Sequence, residues 1–406
     1  MTTTVLLAVE QLRRRVPGGI GRYATGLLDG LAAEAAGAGA GAAEGADPPA
    51  VTLYASRPPG PGADPLARFG LPVVTSPLPG PVLTRAWGRG LAVAPRGSGV
   101  VHAVSLAAPP VRRRGGAAGR RPALVVTVHD LAWRVHPEAT TDRGRRWHEA
   151  ALARARARAD ALVVPSAPVA AQLSDAGFPG DAVHRLPWGA DHLPAPDAAG
   201  AAALLRRLGV AGGYLLTAGT LEPRKNLARL VAAYAAARGS LPEPWPLVVV
   251  GPSGWGASGL ADAGVPDGVA AAGPVADGVL AALYAGARAF AYVPLTEGFG
   301  FPPVEAMVAG VPVVASTSVP SVDPAGTEVV RATRATLSTW PVPAGSSAPA
   351  LRVDPFSVEE IAGALVTAAA DEGARAALVR RGADWVAPMT WRRSARAHAA
   401  LWEHLG

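Results

Sequence analysis

Short apolar runs alternate with segments of helical periodicity along most of the chain. Residues 5–9 form an apolar run typical of a buried strand, and apolar positions from Ile20 to Leu31 then recur every three or four residues. After a Pro-, Gly- and Asp-rich stretch at residues 187–200, the same alternation restarts. Strands that alternate with helices predict parallel sheets covered on both faces. The pattern therefore predicts an α/β protein with two doubly wound, Rossmann-like domains.

The chain length agrees with this division, because a single hydrophobic core stops growing near about 250–300 residues and this chain has 406. We expect residues 1–190 to form the first domain and residues 191–387 to form the second. Residues 388–406 have the pattern of a final helix, which we expect to pack back toward the first domain. Doubly wound sheets bind ligands at the carboxyl ends of their strands, so the cleft between the domains is the expected site.

Two features of the second half refine this picture. Residues 227–237 and 358–370 have the apolar spacing of helices. Residues 327–350 are rich in Thr, Ser, Pro and Ala and interrupt the alternation, so we interpret them as an inserted loop.

The composition excludes several kinds of chemistry. The chain contains no cysteine, which excludes thiolate nucleophiles and zinc sites built on sulfur and indicates a cytoplasmic protein. No charged leader precedes the first apolar run, and no run approaches the roughly 20 residues that span a bilayer, so neither a signal peptide nor a membrane span is predicted. The net charge of +7 includes arginine clusters but no nucleic-acid-binding module, and we expect no nucleic-acid partner. A solvated basic face and peripheral contact with the inner face of an anionic membrane remain the alternatives.

Lysine and asparagine each occur once in the chain, side by side, as Lys225 and Asn226. Because all other side chains of this basic type are arginine, the single lysine indicates a site that requires a compact ammonium. These residues follow an apolar strand and precede a helix, and Arg224 adds a second cation. A helix N-terminus with two cations predicts an anion site suited to a diphosphate. No Asp-x-Asp pair occurs that would hold a metal ion there, so Arg224 and Lys225 are expected to take its place.

The segment from Glu297 to Glu305 places two glutamates on either side of Gly-Phe-Gly-Phe-Pro-Pro-Val, between two predicted strands. The Pro-Pro pair fits the first turn of a helix, and Gly310 fits its end. Glu297 is therefore expected in the loop above a strand and Glu305 in the first turn of the helix, both toward the cleft. Carboxylates in this position can accept paired hydrogen bonds from a sugar diol. The alternative for Glu305 alone is that it complements the helix dipole.

Two weaker signals lie in the first half. His129 ends a predicted strand, where it is either a site residue or a structural histidine, and Asp130 could fix its tautomer or cap the next turn. The loop that contains Gly19 and Gly21 follows the first strand and would let the backbone approach a ligand closely. It lacks the third glycine of the dinucleotide fingerprint.

Taken together, these motifs resemble the family-4 retaining glycosyltransferases, which adopt the two-domain GT-B fold. The likeness covers most of the chain and includes Gly19-Ile-Gly-Arg-Tyr23, His129-Asp130, Val163-Val-Pro-Ser166, Leu186-Pro-Trp-Gly-Ala-Asp191, Gly219–Asn226 and Glu297–Glu305. It implies that the chain transfers a hexose from a nucleotide diphosphate sugar to a glycan, lipid or other acceptor, with no further cofactor and no metal. The wording Gly-Thr-Leu-Glu-Pro-Arg-Lys-Asn is similar to mannosyltransferase subgroups, which suggests GDP-mannose and a role in polysaccharide biosynthesis.

The resemblance also implies roles for individual residues. Glu305 would bind the donor ribose and Glu297 the donor sugar, while Lys225 and Arg224 would neutralise the diphosphate. The implied catalytic set is His129, Lys225, Arg224 and Glu297. The implied substrate-binding set is Gly19, Gly21, His102, Asp130, Thr220, Asn226, Gly298, Phe299, Gly300 and Glu305. His102, at the end of another predicted strand, would line the acceptor side, and the alternative is a structural histidine.

Two departures from the family pattern affect these assignments. Many relatives carry arginine where this chain has Thr220, and their Leu-Pro-Glu-Val reads Val319-Pro-Ser-Val322 here. Donor-sugar contacts near residues 319–322 therefore stay open. Three other functions also stay open: a glycosidase that uses the two glutamates as acid and nucleophile, a nucleotide-sugar epimerase, and a non-catalytic nucleotide-sugar-binding protein.

Overall fold

The computed structural model describes residues 2–38, 48–58, 60, 62–112, 121–243, 245–254, 266–324 and 347–406. Within these residues the strands form two sheets in which every strand pairing is parallel. The strands of the first sheet are β1 (Thr4–Ala8), β2 (Ala50–Ala55), β3 (Val73–Thr75), β4 (Val100–Ala103), β5 (Ala123–Thr127), β6 (Ala161–Val164) and β7 (Val183–Arg185). The strands of the second sheet are β8 (Leu215–Ala218), β9 (Leu247–Val250), β10 (Val269–Gly273), β11 (Ala289–Tyr292), β12 (Val313–Ser316) and β13 (Leu351–Val353).

Helices connect the strands in both halves. Those of the first half are α1 (Gly18–Ala38), α2 (Gly80–Gly88), α3 (Ala132–Val135), α4 (Asp142–Arg158) and α5 (Ala167–Asp175). Those of the second half are α6 (Ala198–Arg207), α7 (Leu227–Ala237), α8 (Asp277–Gly286), α9 (Phe301–Val308), α10 (Val358–Ala370), α11 (Glu372–Val386) and α12 (Trp391–Leu405). No helix of the described residues has both the length and the apolar character needed to cross a bilayer.

The two sheets share the same connectivity. Their strand orders are β3-β2-β1-β4-β5-β6-β7 and β10-β9-β8-β11-β12-β13, so the order reverses between β1 and β4 and again between β8 and β11. Central strands such as β4, β8 and β11 are buried at every residue, as strands covered on both faces require. The prediction of two doubly wound α/β domains is confirmed, and each order reversal marks a ligand crevice at the carboxyl ends of the strands.

The chain crosses between the domains along two adjacent segments. The backbone N–H of Ala190 donates to the carbonyl of Met389 (2.8 Å), and the N–H of Trp391 donates to the Asp191 carboxylate (2.8 Å). Beyond this point α12 packs along α1 of the first domain. One apolar cluster continues through Trp188 from the first domain into the second, so the crossing segments are part of the core.

Some details differ from the sequence-based expectations. Gly19 and Gly21 lie in the first turn of α1, not in a loop, because a short 3-10 turn at Glu10–Arg13 already makes the connection from β1. Strands β3 and β7 have only three residues each and are too short for an apolar run to indicate. Most of the inserted loop expected at residues 327–350 lies outside the described residues.

The contact between α1 and α12 can be tested at Gly30. A Cβ atom at Gly30 would lie 2.2 Å from the carbonyl oxygen of Trp391, so α12 must shift to admit it. We expect Gly30→Ala to lower the free energy of unfolding by about 1–3 kcal/mol, the usual cost of overpacking. The matched control is Gly363→Ala in α10, where no atom lies within 4 Å. That substitution should stabilise the protein by about 0.5–1 kcal/mol. Calorimetric midpoints measure both effects, and an unchanged midpoint for Gly30→Ala contradicts the packing described.

Candidate active site

Lys225 lies at the centre of a polar cluster at the carboxyl ends of β8 and β11. Its Nζ donates to the hydroxyl of Tyr292 (2.6 Å) and to the carboxylate of Glu297. The same Glu297 oxygen accepts a hydrogen bond from the Tyr292 hydroxyl (2.5 Å). Arg224 lies beside them, with Nη1 3.5 Å from the other Glu297 oxygen and Nη2 donating to Glu222 (2.7 Å). The structure thus brings the predicted Lys225, Arg224 and Glu297 together.

The backbone of this cluster depends on Asn226. Residues Pro223–Lys225 form a 3-10 turn, and Asn226 then adopts φ 60° and ψ 31°, a left-handed conformation that asparagine tolerates better than most residues. Its side-chain amide is buried and donates to the carbonyls of Val293 (3.0 Å) and Pro355 (2.7 Å). Asn226 therefore fastens the Lys225 turn to the end of β11. The structure gives it this anchoring role, and the substrate contact expected from the sequence stays a prediction.

The charges of the cluster are mutually stabilised. Burial by itself would raise the pKa of Glu297, but Lys225 and Arg224 more than offset it and lower that pKa to about 2. Burial lowers the pKa of Lys225, and Glu297 opposes that shift. An ionised carboxylate is an acceptor only, so Glu297 is suited to accept hydrogen bonds from hydroxyl groups.

A second polar cluster surrounds Glu305. Because α9 begins at Phe301, Glu305 is in its second turn, not the first as expected, and its side chain is fully buried. The carboxylate accepts hydrogen bonds from Tyr284 (2.9 Å), His192 (2.8 Å) and Arg22, which lies in α1 of the first domain. Burial would raise the pKa of Glu305, but Arg22 and His192 lower it to about 2.

The loop between the two glutamates contacts the first domain directly. Gly300 has a φ of +96°, which favours glycine, and this backbone turn starts α9. A Cβ atom at Gly298 would lie 1.8 Å from the carbonyl oxygen of His129, so only glycine permits this approach. The carbonyl of Gly298 also accepts a hydrogen bond from the Ser166 hydroxyl (2.6 Å). The predicted Glu297 loop and the predicted His129 thus lie side by side across the cleft.

His129 is held in one tautomer at the end of β5. Its Nε2 lies 2.7 Å from the carbonyl oxygen of Val104, which can only accept, so Nε2 carries the proton and Nδ1 is an acceptor. Burial lowers the pKa of His129, and its ring packs against Tyr23 and Trp188 with centroids 5.2 Å away in each case. Asp130 accepts from the backbone N–H of Ala132 (3.1 Å), so of its two expected roles the structure shows the capping one.

His102 is not part of the cleft. Its side chain is fully buried, accepts a hydrogen bond from the indole N–H of Trp402 (3.2 Å) and donates to Thr127 (2.9 Å). Thr127 in turn contacts the hydroxyl of Tyr23 (3.1 Å), which donates to His398 (2.8 Å). This chain of hydrogen bonds joins β4, β5, α1 and α12 inside the first domain. Of the two interpretations of His102, the structure supports the structural one, because β4 directs the ring into this core.

Four predicted residues remain to be placed: Gly19, Gly21, Phe299 and Thr220. Gly19 faces the second domain, since a Cβ atom there would lie 4.0 Å from Phe301. Gly21 faces its own domain, since a Cβ atom there would lie 2.2 Å from Cβ of Pro17. Phe299 packs on Trp188 with a centroid distance of 5.1 Å, and Thr220 is partly exposed in the loop after β8.

Other site residues were not predicted from the sequence. Arg22 and Ser166 lie within two of the motifs that carry the family resemblance, and nothing else in the sequence indicated that they belong to the site. Tyr284 and Tyr292 gave no signal, because a tyrosine in an apolar element reads as core. Among the described residues, no three His, Asp or Glu side chains are grouped so as to hold a metal ion.

Both the fold and the paired clusters define a two-domain protein of the GT-B class. Residues 17–193 match the family described as "Glycosyltransferase Family 4", and residues 212–371 match "Glycosyl transferases group 1". The chain therefore belongs to the family-4 glycosyltransferases, as the sequence motifs indicated.

Solved structures share this fold over nearly their whole length. HepE from Anabaena, in complex with UDP and glucose, has a TM-score of 0.65 at 16% identity and covers 99% of this chain and 100% of its own. Sucrose-phosphate synthase from Thermosynechococcus elongatus has a TM-score of 0.64 at 19% identity and covers 99% of both chains. At such identities the likeness concerns the fold alone.

A curated relative is more similar over a shorter length. O-antigen chain mannosyltransferase B from Escherichia coli is 43% identical over 116 residues, which are 27% of this chain and 30% of that protein. The match thus spans less than a third of this relative.

The buried histidines predict how stability depends on pH. Burial lowers the pKa of His102 well below 6.5 and that of His398 to about 4. Below pH 6.5 the unfolded chain therefore binds protons that the native state does not. As the pH is lowered below 6.5, the free energy of unfolding should fall by about 1.4 kcal/mol per pH unit for each such histidine. The ionised carboxylates of Glu297 and Glu305 also stabilise the folded state, fully so above pH 4.5. Their contribution is lost only as the pH falls from 4.5 toward 2, which is below the range from pH 7 to pH 5 in which the histidines act.

Unfolding midpoints at pH 7, 6 and 5 measure this slope. His398→Gln should reduce it, because the amide oxygen can still accept the Tyr23 hydroxyl but does not titrate. The matched control, His404→Gln, makes the same substitution at an exposed histidine of the same helix, and it should reduce the slope less than His398→Gln does. A midpoint that is constant from pH 7 to pH 5 contradicts the neutral, buried state of these rings.

Proposed function

We propose that this chain is a retaining glycosyltransferase that moves a hexose from a nucleotide diphosphate sugar to an acceptor hydroxyl without a metal ion. The observation that carries the proposal is the Lys225–Arg224–Glu297 cluster, which lies beside His129 across the cleft. Glu305 stands in the helix that follows the same loop. Cations suit the diphosphate, and the carboxylates suit the hydroxyls of the ribose and the sugar. HepE, which shares the fold, binds UDP and UDP-glucose, which supports a donor of this class.

The cations would act on the leaving group. As the bond between the sugar C1 and the phosphate oxygen breaks, the diphosphate gains negative charge. Lys225 and Arg224 are held in place by Glu297, Tyr292 and Glu222 before any donor arrives. Hydrogen-bonding cations that are already oriented stabilise the developing negative charge without a cost of reorganisation. They favour the transition state over the bound substrate, which is what raises the rate.

The acceptor hydroxyl would attack C1 on the face that the diphosphate leaves. A bond forms between C1 and the acceptor oxygen, the bond to the phosphate oxygen breaks, and the hydroxyl proton passes to the departing phosphate oxygen. The product keeps the anomeric configuration of the donor. A covalent step on Glu297 is disfavoured, because two cations and Tyr292 already engage this carboxylate and weaken it as a nucleophile.

We propose GDP-mannose as the donor and mannose as the sugar that is transferred. The similarity to O-antigen chain mannosyltransferase B supports this choice, as does the Gly-Thr-Leu-Glu-Pro-Arg-Lys-Asn wording of the Lys225 turn. The acceptor class is a glycan or a lipid in polysaccharide biosynthesis.

We further propose peripheral contact with an anionic membrane, which would bring a lipid acceptor to the enzyme. Helix α4 supports this, because it exposes Arg143, Arg146, Arg156 and Arg158, and Trp147 between them is 37% exposed. Basic side chains beside an exposed tryptophan suit the interface between anionic headgroups and acyl chains.

Replacement of Lys225 tests the cation site. We expect Lys225→Ala to lower kcat about 10²–10³-fold, the usual loss when one oriented donor to a developing charge is removed. Lys225→Arg should not restore it fully, since a planar guanidinium does not fit where a compact ammonium contacts both Tyr292 and Glu297. The matched control is Arg238→Ala, which removes a surface cation that pairs with Asp267. Turnover of Lys225→Ala within a few-fold of wild type, with the fold intact by circular dichroism, refutes the assignment.

The reaction itself needs a separate test. We expect a thermal-shift panel to rank GDP and GDP-mannose above UDP and UDP-glucose, since tighter ligands raise the midpoint more. Transfer should produce a linkage with retained configuration by NMR, and excess EDTA should leave the rate unchanged. An inverted linkage or loss of turnover in EDTA contradicts the mechanism. Oligosaccharide hydrolysis without a nucleotide favours the glycosidase alternative, and donor conversion without an acceptor favours the epimerase.

A further inference from the structure

Arg22 reaches across the cleft from the first domain. It lies in the first turns of α1, and its guanidinium donates to Glu305 in α9 of the second domain. Its other terminal nitrogen lies 3.5 Å from the carboxylate of Asp277 at the start of α8. Both partners are acidic and both belong to the second domain, so Arg22 joins the domains through charge.

The Glu305 carboxylate is already occupied in this arrangement. One oxygen accepts from both Arg22 and His192, and the other accepts from Tyr284. A ribose diol needs two acceptor positions, so a ribose that binds Glu305, as the proposed function requires, must displace at least one partner.

Arg22 is the partner best able to leave. His192 has a side chain only 5% exposed and is held at Nδ1 by the indole N–H of Trp391 (3.3 Å). Tyr284 is fully buried in α8. The Arg22 side chain is 28% exposed and ends a long flexible stem, so it can move without disturbing the core.

A displaced guanidinium requires another anion. The diphosphate is attached to the ribose and enters the same cleft. On its own side, Lys225 and Arg224 are paired with Glu297 and Glu222. This group of four side chains carries no net charge, so Lys225 and Arg224 can still donate hydrogen bonds to the diphosphate, but the net positive charge that balances it must come from elsewhere. The first domain can supply that charge through Arg22.

We propose that Arg22 exchanges partners when the donor binds: it releases Glu305 to the ribose and binds the diphosphate through its planar guanidinium. In the empty enzyme the same residue compensates the buried Glu305 charge. The inference rests on the proposed function and extends it, because the donor is then bound by both domains. Phosphate contact from the first domain would couple donor binding to the closed arrangement of the cleft.

Titration calorimetry with guanosine and GDP tests this exchange, because only GDP carries the diphosphate. For Arg22→Gln in the full chain, we expect the Kd for GDP to rise about tenfold or more, the worth of one charge-assisted hydrogen bond. The Kd for guanosine should stay equal or fall, because the ribose no longer competes with a guanidinium. Arg22→Lys keeps the charge and should recover part of the GDP affinity. The matched control is Arg68→Gln, which breaks an exposed ion pair with Asp29 of the same helix α1 and should change neither Kd.

Two outcomes overturn the inference alone. Equal losses of guanosine and GDP affinity in Arg22→Gln would mean that Arg22 only maintains the shape of the site. Unchanged GDP affinity in Arg22→Gln, with affinity lost in Lys225→Ala, would mean that the diphosphate is bound by the second domain without Arg22. If the wild-type protein binds neither GDP nor UDP, the proposed function fails together with this inference. A thermal midpoint for each variant shows that it is folded before titration.

Discussion

Compensation of two buried carboxylates is the interaction on which the arrangement of the cleft depends. Burying an ionised carboxylate without a partner costs several kcal/mol, so each must be met by a cation or by several donors. Glu297 is met within its own domain by Lys225 and Arg224, whereas Glu305 is met by Arg22 from the other domain. Because the second pairing crosses the cleft, the relative position of the domains is tied to the charge of the site.

Apolar packing between the domains supports the contact between Arg22 and Glu305. Trp188 lies between Tyr23 of the first domain and Phe299 and Phe301 of the second, with centroid distances of 4.7, 5.1 and 5.5 Å. The ring of Trp391 lies 6.1 Å from that of Phe301 and holds His192 by its indole N–H. This packing fixes the distance between the Glu297 loop of the second domain and His129 of the first. The charged groups Arg22 and Glu305 are therefore also held at a fixed separation.

Helix α1 links the stability of the first domain to the site. It carries Arg22 toward the cleft and, one residue later, Tyr23 into the buried hydrogen-bond chain that ends at His398 of α12. The directions of the hydrogen bonds in this chain are consistent throughout, since the carbonyl of Ser394 accepts from His398 Nδ1 (2.7 Å) and Tyr23 donates to the other ring nitrogen. A fully satisfied network of neutral groups holds α1 in one position. The return of α12 to the first domain is therefore part of what positions Arg22.

The sequence by itself determined the architecture and the cluster of Lys225, Arg224 and Glu297. Apolar periodicity is a local property, and the helices predicted at residues 227–237 and 358–370 begin and end where expected. The side-by-side Lys225 and Asn226 and the spaced glutamates likewise carry their signal within a few residues. Only the tertiary structure decided what lies opposite them. It placed Arg22 and His192 on Glu305, turned His102 into the core and gave Asn226 a structural role, because each depends on contacts between segments far apart in the chain. Such pairings follow from strand order and domain packing, which no local pattern of residues encodes.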